Sequence, residues 1–404
     1  MNAYVFGAGA SHAYSESPTG VLPPLAKDVF SAYSRLAISG DRYVRVGAIV
    51  NYIRDTRGVD PFDFSGWNEY IEDVLTELEE AIASSAKDPD AIDQKWIQMQ
   101  KAYTEMVFLF SSILNEIQNG PLCGAYQALI RGTSPNDALI TFNWDCLLDR
   151  ALFELGDWKP TVGYGIAFRA LFDDGWQPTL PGNSNRYLLK LHGSTNWLVP
   201  LRSFNLRTKR MTFWNPDVDP AERPIYCFVR SKDRYVTYQD RGRSGYEPFS
   251  YFYYPPNLPL APLRHLGDRV LLSASISPDM PEHGSVVRVK EMNESMPLIV
   301  PPVRNKDFGV LHGLLEDVWT MARVALRSAE RITIIGYSFP PTDTRAMSLF
   351  SEAILGRRDP VSVELVDPYP DALAARLSEL FGQSITLTVR RTTFERFVGG
   401  AGGT

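Results

Sequence analysis

Cysteine is scarce in this chain of 404 residues: Cys123, Cys146 and Cys227 stand far apart, so there is no CxxC pair from which to build a zinc ribbon or a redox motif. An odd number of isolated cysteines points to reduced thiols and a cytoplasmic protein, with no zinc expected. Long apolar runs are also missing, and none approaches the roughly 20 residues that a membrane span needs. No basic residue precedes Lys27, so the charged flank of a secretion signal is absent. Positive charge has no surplus either: the formal net charge of -6 gives no reason to expect direct nucleic-acid binding. The third glycine of a GxGxxG fingerprint is lacking as well. No acidic residue ends a second strand at the distance that fingerprint requires, because Asp28 falls in a helix-like stretch.

What is present is ordinary globular material. Hydrophobic residues make up 44% and charged residues 22%, and the length is enough for a large core. Charge is unevenly placed: residues 60–95 are acidic and residues 201–245 basic, which is read as two solvated faces of opposite sign. Trp67, Ile71, Val74, Leu75, Leu78 and Ile82 recur at helical spacing, as do Trp96, Met99, Tyr103, Met106, Val107, Phe110, Leu114 and Ile117. Residues 61–120 are therefore expected to be a helical block whose stripes are core.

Strand-like runs are YVF (4–6), ALITF (138–142), RYLLKL (186–191), RVLLSAS (269–275), PLIVPP (297–302), RITIIG (331–336), VSVELV (361–366) and SITLTVR (384–390). Several are apolar throughout and alternate with helical patterns such as LHGLLEDVWTMARVAL (311–326). That alternation predicts an α/β fold, a Rossmann-like parallel sheet with helices on both faces. Residues 200–290 break the rhythm and are expected to be an irregular aromatic and basic insertion. The glycine-rich end, residues 396–404, is expected to be a flexible tail.

Several of these strands end directly in small or polar residues, as VFGAGAS, ITFNWD, LLKLHGS and TIIGYS, with VELVDP as a fifth. In an open α/β sheet the carboxyl ends of the strands line one crevice where ligands bind. Gly7, Ala8, Gly9, Ala10 and Ser11 would let backbone come close to an anion such as a diphosphate. Thr141, Asn143 and Asp145 would reach the crevice from the second segment, and His192 from the third. Gly336, Tyr337 and Ser338 would come from the fourth, and Asp367 from the fifth. Plainer readings exist for each: His192 as a core histidine, Asn143 or Asp145 serving the start of the helix CLLDRALFEL, GYS as a turn.

Taken as an ordered set, GAGAS, TFNWD, KLHGS, PLIVPP and GYS resemble the SIR2-like (sirtuin-related) domain, particularly its bacterial antiphage-defence branch. The similarity covers residues 1–395, interrupted by the helical block and the 200–290 insertion. It implies NAD as the substrate, with residues 7–11 around its diphosphate. It implies that Asn143 and Asp145 address the nicotinamide ribose and carboxamide, and that His192 is the catalytic histidine. It further implies a homo-oligomer and a partner protein of helicase, nuclease or Argonaute type. Two departures count against acyl-lysine chemistry: the four-cysteine zinc module of the deacylases is missing, and HAYSESPTGVLPPL lacks their PDFR-like stretch. The resulting expectation is an NAD hydrolase releasing nicotinamide and ADP-ribose. A non-catalytic nucleotide-sensing or assembly module is the alternative, followed by a deacylase or ADP-ribosyltransferase.

Overall fold

A computed structural model describes residues 1–36, 46–85, 94–118, 120–155, 158–172, 176–179, 182–206, 211–216, 225–228, 295–300 and 313–400. Its strands are β1 (Asn2–Phe6), β2 (Ala138–Thr141), β3 (Ala170–Phe172), β4 (Trp176–Pro178), β5 (Leu188–Lys190) and β6 (Gly193–Leu206). They continue with β7 (Met211–Pro216), β8 (Tyr226–Phe228), β9 (Ser295–Ile299), β10 (Arg331–Ile335), β11 (Val361–Asp367) and β12 (Ile385–Arg391).

Six strands form one sheet in the order β12-β11-β10-β1-β2-β5, and every pairing in it is parallel. Counted along the chain within this sheet, the order is 6-5-4-1-2-3, the doubly wound arrangement of Rossmann folds. The α/β expectation is thus met by the topology itself. The reason is legible in the burial: all four residues of β2 and four of the five in β10 are buried, so these strands read as unbroken apolar runs. Each such Leu, Ile or Val side chain contributes about 1.5–3 kcal/mol by leaving water. β12 is one of the two edge strands, and most of its residues stay exposed or half-exposed.

A second sheet, in the order β4-β3-β8-β6-β7 with β9 also paired to β6, differs from the sequence reading in two ways. PLIVPP was expected in the parallel sheet, yet its strand β9 runs antiparallel to β6, with Gly193 opposite Ile299 and Ser194 opposite Leu298. Both faces of that segment are covered, and an apolar run cannot say which sheet covers it. The stretch beginning at residue 200 was expected to be irregular, but β6, β7 and β8 carry its described parts as strands. The remainder of 200–290, including RVLLSAS, lies outside the described residues.

Helices Gly47–Arg57, Ile71–Ser85 and Gln94–Gln118 form the helical block, which begins earlier than expected and holds turns rather than helix at residues 61–66. Ile71, Val74, Leu75, Leu78, Met106, Phe110, Leu114 and Ile117 are buried, as the stripes predict. Residues 394–400, mostly inside the expected tail, form a helix whose Phe394 packs on Phe6 and Tyr126; 401–404 lie outside the described residues. No described helix is long and apolar enough to cross a membrane.

Candidate functional site

In a doubly wound sheet the strand order reverses between the first and fourth strands, here β1 and β10, and the crevice opens beyond their carboxyl ends. The glycines cluster at this switch point. Gly7 N–H donates to Ile335 O (3.1 Å) and Gly9 N–H to Gly336 O (2.9 Å). A Cβ on Gly7 would lie 2.5 Å from Tyr337 Cα, and one on Gly336 would lie 2.4 Å from Ala10 N. Gly336 also has φ of +60°, a conformation costly to any residue with a Cβ. The close approach suggested by GAGAS is therefore first an approach to GYS, one strand end against the other. Gly7, Gly9 and Ala10 all spend their amides inside the protein. Ala8 and Ser338 are exposed, and Gly9, Gly336 and Asp367 are half-exposed, which leaves them as the open rim of the crevice.

TFNWD sits beside this rim and is tied to it. Asn143 Nδ2 donates to Gly7 O and to Ser11 Oγ, both at 2.8 Å, and Ser11 Oγ donates to Asp145 Oδ2 (2.6 Å). Asp145 Oδ1 accepts from Leu147 N–H (3.0 Å), so Asp145, not Asn143, serves the start of helix Leu147–Leu155. Thr141 Oγ1 accepts from Asn143 N–H (3.0 Å), holding the turn. Burial pushes the Asp145 carboxyl up, against the opposing pull of Lys190 and the hydrogen bonds from Ser11 and Leu147.

Lys190, the last residue of β5, is fully buried beneath this loop. Its ammonium donates to Asp145 O (2.5 Å) and to both oxygens of Asp149 (3.2 and 3.0 Å), which in turn accepts from Tyr164 OH (2.5 Å). Burial pulls the Lys190 ammonium down, but Asp149, with Cys146 and Asp145, more than compensates and holds it above its ordinary range. The helical block reaches the same loop: Cys146 N–H donates to Gln118 Oε1 (2.7 Å), and Phe110 packs on Trp144 with ring centroids 4.9 Å apart.

His192 follows β5 and is 5% exposed. Its Nε2 lies 3.2 Å from Asp343 Oδ2, which also accepts from Tyr337 OH (2.6 Å), while Asp343 Oδ1 accepts from Ala346 N–H (3.0 Å). Phe142 of TFNWD stacks on the Tyr337 ring at 4.0 Å and 3°, and meets the His192 ring edge-on at 5.1 Å. The ends of β2, β5 and β10 are thereby drawn into one cluster. Asp343 was not foreseen from sequence. Its signal was there to read: an Asp just before the periodic stretch TRAMSLF is a helix start.

Asp367, last residue of β11, accepts from Tyr369 N–H (2.7 Å) at the far side of the crevice, away from TFNWD, because β10 and β1 lie between β11 and β2. Helix Ile71–Ser85 brings Glu72 within electrostatic range of His192 and Tyr337; burial pushes its carboxyl up to about 7, and its Oε2 is buried without a partner among the described residues. Cys123, Cys146 and Cys227 are buried and unbridged, and burial pushes their thiols up, to about 12 and about 11 for the first two. No group of three or more His, Cys, Asp or Glu among the described residues is placed to hold a metal.

No known family profile matches the chain, and no curated protein does. Among solved structures it is similar to a mutant Sir2 homologue in complex with ADP-ribose, at 14% identity over 98% of this chain and 88% of that one, with a TM-score of 0.36. It is also similar to Sir2Tm bound to a propionylated peptide, at 11% identity over 99% and 91% of the two chains, with a TM-score of 0.34. At such scores the likeness carries neither family nor chemistry; the fold class rests on the sheet order.

Proposed function

We propose that this chain is an NAD+ glycohydrolase, cleaving NAD+ to nicotinamide and ADP-ribose, and that it serves as a defence effector that depletes NAD during phage infection. The observation that carries the reading is convergence. GAGAS, TFNWD, KLHGS and GYS, far apart in sequence, meet at the carboxyl edge around the switch point of a doubly wound sheet, where dinucleotides bind. Supporting it is the ordered resemblance of those motifs to SIR2-like domains.

The residues fit a nucleotide lying along the rim. Ala8, Gly9, Gly336 and Ser338 offer the diphosphate a surface without bulky side chains, and Asp367 offers an acceptor for a ribose hydroxyl. Asn143 spends both amide hydrogens on Gly7 and Ser11, so its side-chain carbonyl is the group left to orient a water or a hydroxyl. In this reading Asp145, fixed by Ser11 and Leu147, addresses the carboxamide, and His192 accepts a proton as positive charge develops at the ribose carbon. A general base of this kind contributes about 10²–10⁴-fold.

One observation favours the alternative of a non-catalytic nucleotide-sensing module: the amides of Gly7, Gly9 and Ala10 and both oxygens of Asp145 are already engaged inside the protein. Incubation of pure protein with NAD+, following nicotinamide release, separates the two. Release at a steady rate that His192→Ala abolishes supports the hydrolase; binding without release supports the sensor. The defence role adds homo-oligomerisation and a partner of helicase, nuclease or Argonaute type that raises activity on assembly. Copurification with the genomic neighbour, with turnover compared per chain, tests it: full activity of the lone monomer removes the assembly model.

A further inference from the structure

The nitrogen of His192 that works as base is not open to choice. We infer that Asp343 is a positioning residue that fixes the His192 tautomer, leaving Nδ1 as the base, an inference that rests on the NAD-cleaving reading. Asp343 is 2% exposed and held from three sides. The Ala346 amide takes Oδ1 at 3.0 Å; the Tyr337 hydroxyl, at 2.6 Å, and His192 Nε2, at 3.2 Å, share Oδ2. An ionised carboxylate only accepts hydrogen bonds. Nε2 must therefore carry the proton in the neutral ring, and the lone pair falls on Nδ1, which has no hydrogen bond among the described residues. Burial opposes ionisation of Asp343, but the His192 charge and the hydrogen bonds from His192, Tyr337 and Ala346 outweigh it and hold the carboxyl below its ordinary range.

The ring itself is clamped. Phe142 stands edge-on to it at 5.1 Å and Trp319 lies 6.2 Å away, its indole N–H anchored on Leu191 O (2.9 Å). Tyr337, which shares Oδ2, is pinned by its stack on Phe142. In the step these groups serve, water adds its oxygen to the ribose carbon and gives a proton to His192 Nδ1. The bond to nicotinamide breaks, and nicotinamide leaves with the electron pair. Asp343 stays ionised and offsets the charge of the imidazolium, which returns its proton to solvent.

Capping of helix Thr344–Leu355 is the plainer role for Asp343, but it uses Oδ1 alone. Asp343→Asn separates the two roles, because asparagine caps as well as aspartate. In that variant the Ala346 amide keeps the side-chain oxygen of the new asparagine on the cap and turns its NH₂ group toward Nε2, which must then accept, so Nδ1 becomes protonated and the base is lost. The test pairs kinetics with nitrogen-15 NMR of the imidazoles, His192 being picked out among the five histidines by its loss in His192→Gln. Expected are an Nε2–H tautomer in the wild type and Nδ1–H in Asp343→Asn. The variant should show kcat lower by 10²-fold or more, KM within threefold and an unchanged melting temperature. An Nδ1–H tautomer in the wild type, a tautomer unmoved by Asp343→Asn, or turnover within twofold of wild type would overturn the inference. Should the wild type release no nicotinamide, the NAD-cleaving reading falls, and the tautomers still decide the role of Asp343.

Discussion

Replacing Gly336 by alanine puts the switch point itself under load. The position carries two separable costs. Its φ of +60° belongs to the left-handed region, where a Cβ costs about 1–2 kcal/mol. The added Cβ would also lie 2.4 Å from Ala10 N, 2.5 Å from Gly9 C and 2.7 Å from Gly9 Cα, all backbone atoms that cannot swing aside. Relief means parting β10 from the turn after β1, a form of overpacking that costs roughly 1–3 kcal/mol more. The sum, about 2–5 kcal/mol, is a large share of a typical domain's 5–15 kcal/mol. Gly58→Ala is the control: φ is +68° and ψ +16° there, in the left-handed region, but nothing lies within 4 Å of its Cβ, so it bears the conformational cost alone. Urea unfolding of both variants, followed by circular dichroism, reads the difference as a shift in midpoint. We expect Gly336→Ala to lose at least 1 kcal/mol more than Gly58→Ala, and to lose nucleotide binding in the fraction still folded. Equal losses within 0.5 kcal/mol would refute the claim that these strand ends are packed against each other.

Other substitutions probe the neighbouring groups. Asn143→Ala removes two buried hydrogen bonds and should cost roughly 1–3 kcal/mol, beyond a helix cap's ~1 kcal/mol, together with turnover; a melting temperature equal to wild type contradicts this. Glu72 holds its proton more tightly folded than unfolded, so its contribution to stability is present below its ordinary pKa of 4.5 and is lost as pH rises to about 7. Glu72→Gln should accordingly raise the unfolding free energy at pH 8 by about 1–3 kcal/mol and leave it unmoved at pH 4; an equal gain at both pH values sinks the idea. A chelator should leave nicotinamide release unchanged, and inactivation reversed by added zinc would reopen the deacylase alternative. Lys190→Met strands Asp149 without its cation and should destabilise by about 3–5 kcal/mol, with recovery in Lys190→Met/Asp149→Leu; a silent single variant would show that the buried pair supports nothing.

The parallel sheet was legible because its inner strands are buried on both faces, and ALIT, RITII and VSVELV need no partner to be recognised. The second sheet was not. β3, β4 and β8 have three residues each, too few for a period, and β9 is as apolar as a parallel strand although it pairs antiparallel. At the site, the motifs stood out as small and polar residues directly after strands, but their mutual bonds did not. Nothing in GAGAS says that Ser11 will meet Asp145, 134 residues on. Lys190 stands within KLHGS, but the motif gives it no role, since a lysine's burial depends on a partner that only the fold supplies. Glu72 was lost in an acidic run, where one carboxylate facing inward looks like its solvated neighbours.

The helical block is the clearest case of a segment whose sequence separates it from the site while its packing joins it. Read along the chain, it interrupts the strand-end motifs. In space its longest helix ends on TFNWD, where Gln118 takes the Cys146 amide and Phe110 takes Trp144. Arg150, one helical turn after Cys146, returns the contact by donating to Gln118 O and Gly120 O. Asn143 and Asp145 are thus held from the β1 side by Gly7 and Ser11, from below by Lys190, and through the adjoining residues Trp144 and Cys146 by the helical block. A loop gripped at that many points is pre-organised, which the proposed cleavage, with its developing charge, would require. It also means that any partner that moved the helical block would move TFNWD with it. Activation through this block, were the proposed partner to use it, would need no new residue in the crevice, only a different seat for Gln118 and Phe110, and such a partner would have to bind the two seats with different affinity.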